Sequence, residues 1–307
     1  MSYILQTLSL EKTIKEKTII SNFDMHIRKG EIYGFLGPNG AGKTSVMKMI
    51  MNFWKPTGGM IEVFGDKLMP TSYEVLGKMG GIIEYPVFYD YLSGEDNLKL
   101  HCKYIGYDNY QGIENALDLL GLREIAKSPV EQYSLGIKQR LAIARVIISR
   151  PELLILDEPM NGLDPISMKQ IRSLFYMLNK QSGVTIMIST HILSEIEDIV
   201  DTIGIINRGS MVKEISINEV TQMQATYIEI GIRDMRKAIQ TLDNILPRDS
   251  WRVVDKNRLR VYSEMYTLQE IFRELILQEN EVISIVKKSN NLEDYFMHII
   301  GECEKND

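Results

Sequence analysis

One short glycine-rich segment decides how the rest of the chain is interpreted: Gly37-Pro38-Asn39-Gly40-Ala41-Gly42-Lys43-Thr44. It matches the pattern G-x-x-x-x-G-K-[ST] in full. Glycines let successive backbone N–H groups curve around phosphates, and a helix that starts after the loop favours an anion at its N-terminus. We therefore predict a nucleotide site over residues 37–45. In it Lys43 reaches the β- and γ-phosphates, Thr44 ligates Mg²⁺, and Ser45, directly after the loop, is a further nucleotide-binding residue.

The flanking residues support this interpretation. Residues 31–36 predict a short strand and residues 45–53 predict a helix, which is the start of an α/β unit. Further along, Leu153-Leu154-Ile155-Leu156 is a continuous apolar run, typical of a strand buried on both faces of a parallel sheet. Two acids follow it, and an acid at the carboxyl end of such a strand points into the ligand crevice. We expect Asp157 to hold the Mg²⁺ shell and Glu158 to act as the general base toward water.

Composition limits the class of protein. The chain has 307 residues, with 35 Lys plus Arg and 41 Asp plus Glu, so its formal net charge is −6. This acidic balance argues against a protein that coats nucleic acid, and we predict no nucleic-acid partner. The two distant cysteines, Cys102 and Cys303, indicate a reducing compartment. No apolar run reaches the roughly 18 residues needed to span a bilayer. If the protein works at a membrane, another chain supplies the spanning segment.

The pattern of strands and helices predicts two domains. The first is an α/β nucleotide-binding domain over residues 1–220, with a turn at Ser21-Asn22, a helical subdomain at about 93–150 and a helix over 193–201. The second covers residues 221–307 and reads β-α-β-β-α-β, the order of a ferredoxin-like domain. Its predicted elements are strand 226–232, helix 234–245, strands 251–255 and 258–263, helix 267–279 and strand 282–288, followed by a helix over 291–300.

A further motif identifies the family. Tyr133-Ser134-Leu135-Gly136-Ile137-Lys138-Gln139-Arg140 precedes the acid-ending strand by about 20 residues and resembles the signature motif of ATP-binding-cassette ATPases, normally L-S-G-G-Q. Three more elements stand in the order of that family. Asn161-Gly162-Leu163-Asp164-Pro165 resembles the loop after the acid strand. His191 resembles the switch histidine, and Glu84-Tyr85-Pro86 falls where the family has its glutamine loop.

The resemblance implies a head-to-tail homodimer that binds Mg-ATP. Each ATP would lie between Lys43 and Thr44 of one chain and Ser134 and Gly136 of the other. His191 would contact the γ-phosphate, and Asp164 would bridge the two chains. The family further implies a peripheral protein at the cytoplasmic face of the membrane that drives a separate integral-membrane permease.

The sequence departs from the family pattern at three positions. Glu84 replaces the glutamine, adding a charge beside Asp157 and Glu158, and we expect it to ligate Mg²⁺ and to take part in catalysis. Leu135 replaces the first glycine of the signature pair. Ile14 stands where the family has an aromatic residue that stacks on adenine. Since base–aromatic stacking is worth about 1–3 kcal/mol, we predict a looser adenine contact at Ile14 and weaker selectivity between nucleotides.

The resemblance narrows to the bacitracin-resistance and lantibiotic-immunity branch. The segment Ser134-Leu135-Gly136-Ile137-Lys138-Gln139-Arg140, Glu84 and the tail Asn291-Leu292-Glu293-Asp294-Tyr295-Phe296 are similar to that branch. Its ATPases power permeases that clear peptides acting on the cell envelope. Export of a drug, lipid or polysaccharide remains an alternative. So does a soluble ATPase of the same family that acts on ribosomes or DNA. A GTPase would require an N-K-x-D motif, and Asn179-Lys180-Gln181-Ser182 ends in serine.

Overall fold

The structure is a computed structural model that describes residues 3–107, 110–222, 226–248, 250–262 and 266–289. The chain forms two compact units, Met1–Ile217 and Asn218–Asp307. The division lies three residues before the boundary expected from the sequence. The helix predicted over 291–300 lies outside the described residues.

The described residues of the first unit form ten strands and six α-helices, and a seventh helix, α7, begins at its last residue and continues into the second unit. In chain order they are β1 (Tyr3–Ile14), β2 (Lys17–Arg28), β3 (Ile32–Leu36), α1 (Lys43–Ile50), β4 (Gly58–Val63), β5 (Asp66–Lys67), α2 (Tyr73–Gly77), β6 (Met79–Ile82), α3 (Gly94–Ile105), α4 (Tyr110–Leu119), α5 (Leu135–Ile147), β7 (Leu153–Asp157), α6 (Pro165–Ser182), β8 (Thr185–Thr190), β9 (Thr202–Asn207), β10 (Ser210–Ser216) and α7 (Ile217–Gln222).

A six-stranded sheet carries the predicted nucleotide site. Its order is β10-β9-β3-β8-β7-β6, parallel throughout except for the antiparallel β9–β10 hairpin. Every residue of β3, β7 and β8 is buried, as expected for strands covered on both faces. Since parallel strands end at the same edge, the sheet brings the residues that follow β3, β6, β7 and β8 together. This arrangement confirms the predicted α/β fold.

The N-terminal strands form a second sheet of order β2-β1-β4-β5, and here the predicted turn was wrong. The chain reverses at Lys15 and Glu16, which adopt φ values of +45° and +69°. Two successive residues with positive φ give the turn whose twist matches a hairpin. Ser21-Asn22 instead lies inside β2, where Asn22 has φ +43° next to a register shift. Asn22 therefore marks an irregularity within a strand and not its end.

The predicted helical subdomain is confirmed. Ser93 caps α3, with its hydroxyl accepting from the backbone N–H of Asp96. A 3₁₀ turn over Val130–Gln132 leads to Ser134, which caps α5 in the same way. Side-chain caps of this kind satisfy N–H groups that the first helical turn leaves without partners. Cys102 is buried on α3, as expected for an inert cysteine.

The helix predicted over 193–201 was also wrong. Only Leu193–Glu195 forms a 3₁₀ helix, followed by turns. This segment crosses from β8 over β3 to β9, and Asp201 anchors its far end, since its carboxylate accepts from the backbone N–H of Ile32 at 2.8 Å. Leu193, Ile196 and Val200 are all buried. A short crossover with fixed ends bends to bury these side chains, and a regular helix does not form.

The second unit has the predicted β-α-β-β-α-β order: β11 (Thr226–Ile232), α8 (Met235–Ile245), β12 (Trp251–Asp255), β13 (Arg258–Val261), α9 (Leu268–Leu277) and β14 (Val282–Ser289). Its four strands form an antiparallel sheet of order β12-β13-β11-β14. Buried aliphatic residues of β11 and β13, such as Ile230, pack against buried residues of α8 and α9, such as Leu242. Thr267 and Glu270 form a capping box at the start of α9. The ferredoxin-like arrangement is therefore confirmed.

Candidate nucleotide-binding site

The glycine-rich loop between β3 and α1 has a tight backbone conformation that requires glycine at several positions. Gly40 and Gly42 adopt φ values of +81° and +111°, which side-chain-bearing residues rarely adopt. A Cβ on Gly37 would lie 2.5 Å from the carbonyl oxygen of Ile206 on β9, so this position also excludes a side chain. Lys43 is buried and bends back over the loop, donating from Nζ to Gly37 O at 2.7 Å and to Pro38 O at 3.3 Å. The loop thus holds a desolvated cation at its centre.

A cavity of about 200 Å³ opens above this loop. Its lining consists of Ile19, Asn39, Gly40, Gly42, Lys43, Thr44, Ser45 and Glu158. Sequence reasoning missed Ile19, which lies on β2, three residues before the irregular Asn22. Ile14, the predicted adenine contact, is half-buried at the end of β1, pairs with Lys17 and is absent from this lining. The role of Ile14 stays a prediction.

The positions of the two isoleucines predict different effects on nucleotide binding. Ile19→Ala is expected to weaken ATP and GTP binding alike, by about fivefold, because it removes apolar surface beside the loop rather than beside a base. Ile14→Ala is expected to alter the ratio of the two affinities. Titration of both variants with fluorescent ATP and GTP analogues measures this difference. Equal affinity of Ile19→Ala and wild type would contradict the contact inferred for Ile19.

Asp157, the last residue of β7, joins the loop to the sheet. Its Oδ2 accepts from Thr44 Oγ1 at 2.7 Å, and its Oδ1 accepts from Ser189 Oγ at 2.6 Å. Ser189 lies opposite Asp157 in the β7–β8 ladder, which explains why the two meet. A hydroxyl and a carboxylate oxygen in contact are the hard ligands that Mg²⁺ uses beside nucleotide phosphates. The pair Thr44 and Asp157 therefore fits the predicted metal site.

Glu158 lies at the centre of the charged groups. Its backbone has φ +46°, a sparsely populated conformation for a non-glycine residue. Its Oε1 is 3.4 Å from Lys43 Nζ and 3.4 Å from His191 Nδ1, and its Oε2 accepts from Asn161 Nδ2 at 3.2 Å. His191 Nδ1 makes no hydrogen bond in the described structure. The predicted base and the predicted switch histidine are thus brought together beside the lysine.

Glu84 lines a second cavity of about 220 Å³, which shares Thr44 and Glu158 with the first. The second cavity is also lined by Tyr85, Pro86, Leu135, Gln139, Asp157 and Asn161. Glu84 has φ +62° and forms an ion pair with Lys48 on α1, with 2.5 Å between Nζ and Oε1. Sequence reasoning placed Glu84 near the acids but missed Lys48. The signal available was its position, five residues after Lys43 on the helix that starts at the loop.

Three predicted contacts do not join this cluster within one chain. Ser134 and Gly136 lie at the exposed start of α5. Asp164 caps α6, accepting from the backbone N–H groups of Ile166 and Ser167 and from Ser167 Oγ at 2.6 Å. Hydrogen bonding from Ser167 lowers the pKa of the Asp164 carboxyl, so it is ionised at neutral pH. Ser134 and Asp164 are exposed and Gly136 is half-buried, and none of the three lines either cavity.

The fold and the site together define a nucleotide-binding α/β domain in which an acid, a lysine and a histidine meet beside the glycine-rich loop. The sequence profile of the family described as ABC transporter matches residues 20–161. The ABC transporter ATP-binding protein YcbN of Bacillus subtilis (strain 168), itself uncharacterized, is 48% identical over 301 residues, which are 98% of each chain. The chain belongs to the ATP-binding proteins of ABC transporters, and it is an ATPase whose hydrolysis is coupled to transport.

Two further proteins are informative. The bacitracin transport ATP-binding protein BcrA of Enterococcus faecalis is 40% identical over 301 residues, covering 98% of this chain and 97% of that protein. Among solved structures, the dimeric post-hydrolysis state of the ATP-binding cassette MJ0796, bound to ADP and Pi, has a TM-score of 0.63 at 23% identity, covering 69% of this chain and 98% of that chain. The latter similarity establishes the fold. Within the described residues, no helix is long and apolar enough to cross a membrane.

Proposed function

We propose that this ATPase drives a separate integral-membrane permease that clears a peptide antibiotic of the bacitracin or lantibiotic type from the cell envelope. The observation that carries this substrate class is the similarity to BcrA along nearly the whole chain, including the C-terminal unit as well as the ATPase unit. A protein related only through its ATPase unit would match over the first two thirds. The family places such a subunit at the cytoplasmic face of the membrane.

The nucleotide is held by the loop and activated by the acids around it. Backbone N–H groups of residues 37–45 and the α1 N-terminus bind the phosphates. Lys43 breaks its ion pair with Glu158 and neutralises part of the phosphate charge. Glu158 accepts a proton from the attacking water, a role worth about 10²–10⁴ in rate. His191, 3.4 Å from Glu158, contacts the γ-phosphate and keeps the base oriented.

Mg²⁺ fits the oxygen groups that meet beside the loop. Thr44 and Asp157 would hold it, with Glu84 contributing from the second cavity, and the ion would offset the charge of the transferred phosphoryl group. Ser189 keeps the Asp157 carboxylate oriented by donating to its other oxygen. The described residues contain no cluster of three or more His, Cys, Asp or Glu that could hold a metal ion. In this proposal the phosphates of the nucleotide supply the remaining ligands.

Two copies of the chain complete the catalytic site. Ser134 and Gly136 lie at an exposed helix N-terminus suited to a γ-phosphate, and Asp164 is exposed and ionised near them. We propose that each ATP lies between the loop of one copy and this surface of the other. Hydrolysis then depends on closure of the dimer. The dimeric state of MJ0796 supports this arrangement.

The permease contact is proposed beside Glu84. Tyr85, Val87 and Tyr91 are 80%, 79% and 74% exposed, which is unusual for such large apolar side chains in one short segment. Clustered exposed apolar residues of this kind mark interaction surfaces. Their position next to Glu84 would link a movement of the permease to the nucleotide site.

Antimicrobial sensitivity in the native host tests the substrate class. A strain lacking the gene is complemented with wild type or with Glu158→Gln, and compared on bacitracin, several lantibiotics and a panel of unrelated drugs. We expect wild type to restore resistance to bacitracin or a lantibiotic alone, and Glu158→Gln to restore none. Unchanged peptide sensitivity in the deleted strain would refute the substrate class while leaving the ATPase assignment intact. Changed sensitivity to an unrelated drug would favour the alternative of a drug exporter.

A further inference from the structure

Glu84 and Lys48 form an ion pair that connects two elements of the nucleotide site. Lys48 is in the last turn of α1, the helix that begins with Lys43 and Thr44. Glu84 follows β6, which pairs with β7, the strand that ends in Asp157. The 2.5 Å contact between Lys48 Nζ and Glu84 Oε1 therefore bridges the two elements directly beside the cavity that holds the acids.

The two partners are not equally fixed. The Lys48 side chain is only 20% exposed, and its ammonium lies 5.1 Å from the ring centroid of Trp54. The main chain of Lys48 is also held, since its carbonyl accepts from the N–H groups of Phe53 and Trp54. The Glu84 side chain is 60% exposed and lies on a loop with positive φ. Lys48 is thus the anchored partner, and Glu84 has room to change partner.

Charge around the cavity gives Lys48 a role in nucleotide binding. Three carboxylates line it, those of Glu84, Asp157 and Glu158, and two ammonium groups, those of Lys43 and Lys48, contact them. The carboxylates therefore outnumber the ammonium groups by one. Without Lys48 they would outnumber them by two, and the larger negative charge would repel a polyanionic nucleotide more strongly.

We propose that Lys48 is a positioning residue for Glu84: it holds the carboxylate beside the nucleotide site until Mg-ATP binds, when Glu84 leaves Lys48 for the Mg²⁺ shell. This inference rests on the proposed binding of Mg-ATP at this site. It assigns Lys48 two separable effects. Lys48 offsets the negative charge that ATP meets in the absence of metal, and it competes with Mg²⁺ for Glu84.

The two effects predict opposite shifts in one variant. In Lys48→Met, binding of a fluorescent ATP analogue without Mg²⁺ is expected to weaken by about threefold to fivefold, the size of a partly exposed charge interaction. The Mg²⁺ concentration that gives half-maximal binding is expected to fall by a similar factor, about threefold, because Glu84 is no longer held away. Damage to the fold would instead weaken ATP binding and raise the Mg²⁺ concentration required. Lys48→Arg should retain wild-type behaviour within about twofold, since it keeps the charge.

Matched variants separate the pair from general charge effects. Glu84→Gln and Lys48→Met/Glu84→Gln should show the same Mg²⁺ dependence, because Lys48 acts through Glu84. Lys29→Met removes a more exposed lysine, which pairs with Glu152 at 3.1 Å at the opposite end of the sheet, and should leave both affinities unchanged. An unchanged or higher Mg²⁺ requirement in Lys48→Met would overturn the inference while wild-type binding of Mg-ATP still supports the proposed function.

Trp54 supplies a second readout that does not depend on catalysis. The sequence has two tryptophans, so Trp251→Phe leaves Trp54, beside the Lys48 ammonium, as the one tryptophan, which excitation at about 295 nm selects over the tyrosines. Mg-ATP, but not ATP with EDTA, is expected to shift its emission as Glu84 leaves Lys48. The same shift should be absent in Trp251→Phe/Glu84→Gln. An equal shift in both proteins would overturn the exchange of partners. Failure of the wild type to bind Mg-ATP would overturn the inference and the proposed nucleotide site together.

Discussion

Glu158→Gln is expected to lower kcat for ATP hydrolysis by about 10²–10⁴-fold, because the amide cannot accept the proton of the attacking water. ATP binding should persist, since glutamine retains the size of the side chain and removes one negative charge beside Lys43. ATP bound without turnover should then hold two copies together. Phosphate release measures the first effect, and sedimentation velocity with and without ATP measures the second.

A carboxylate at the other end of the same strand provides the control. Glu152 precedes β7, and its side chain pairs with Lys29 at 3.1 Å, away from the phosphate loop. Glu152→Gln is expected to leave hydrolysis unchanged. Glu158→Gln/Ser134→Arg should stay monomeric with ATP, because the larger side chain blocks the surface offered to the partner's nucleotide. Full hydrolysis by Glu158→Gln would refute the assigned base, and an ATP-dependent dimer of the double variant would refute the role of Ser134.

Gly209→Ala is expected to lower the free energy of unfolding by about 3–5 kcal/mol and to abolish ATP binding. Gly209 turns the β9–β10 hairpin with φ +82°, and a Cβ there would collide with the carbonyl oxygen of Ile19. Its N–H donates to Ala41 O at 2.8 Å, and its carbonyl accepts from Ser21 N–H at 3.0 Å. A backbone obstacle cannot rotate away, so β2 or the phosphate loop must move. Urea unfolding and titration with an ATP analogue measure both effects.

Gly30→Ala separates backbone strain from the collision. Gly30 has nearly the same φ, +81°, but a Cβ there would meet no atom within 4 Å. Gly30→Ala is expected to lower the free energy of unfolding by about 1–2 kcal/mol, the cost of the left-handed conformation alone, and to retain ATP binding. If the two alanine variants lost equal stability, the collision with Ile19 would not be the cause.

The elements that could be predicted are those whose conformation depends on their own residues. The apolar run of β7 requires burial on both faces, and the loop at residues 37–44 requires glycine at strained positions, so both were recognised from residues alone. The strands and helices predicted over residues 226–288 lie within a few residues of the observed elements. The capping box at Thr267 was found only in the structure. The helix predicted after His191 does not form, because side-chain contacts fix the segment in another conformation. Glu195 accepts from the nearby Thr190, and Asp201 accepts from Ile32, 169 residues earlier on β3.

The chemical groups of the site could be named from sequence, but their contacts could not. Thr44 and Asp157 are 113 residues apart, and the hydrogen bond between them exists because β3 and β7 flank β8 in one parallel sheet. Ile19 shows no motif, and it lines the loop because β2 runs past it. In the sequence, nothing distinguishes Lys48 from an ordinary surface lysine of a helix. Its pairing with Glu84 depends on where β6 joins the sheet, which no local pattern specifies.

The position of β3 has a consequence for protein synthesis. Both of its neighbours, β8 and β9, are made long after it, and the hairpin that supports Ala41 follows β9. At roughly 5–20 residues per second, a ribosome needs about 10–35 s to pass from the end of β3 to that hairpin. Until β8 and then β9 are made, late in that interval, the emerging phosphate loop lacks its flanking strands. A nascent chain therefore becomes able to bind ATP only when its first unit is almost completely translated, and ribosomes arrested before residue 185 would carry chains without a nucleotide site.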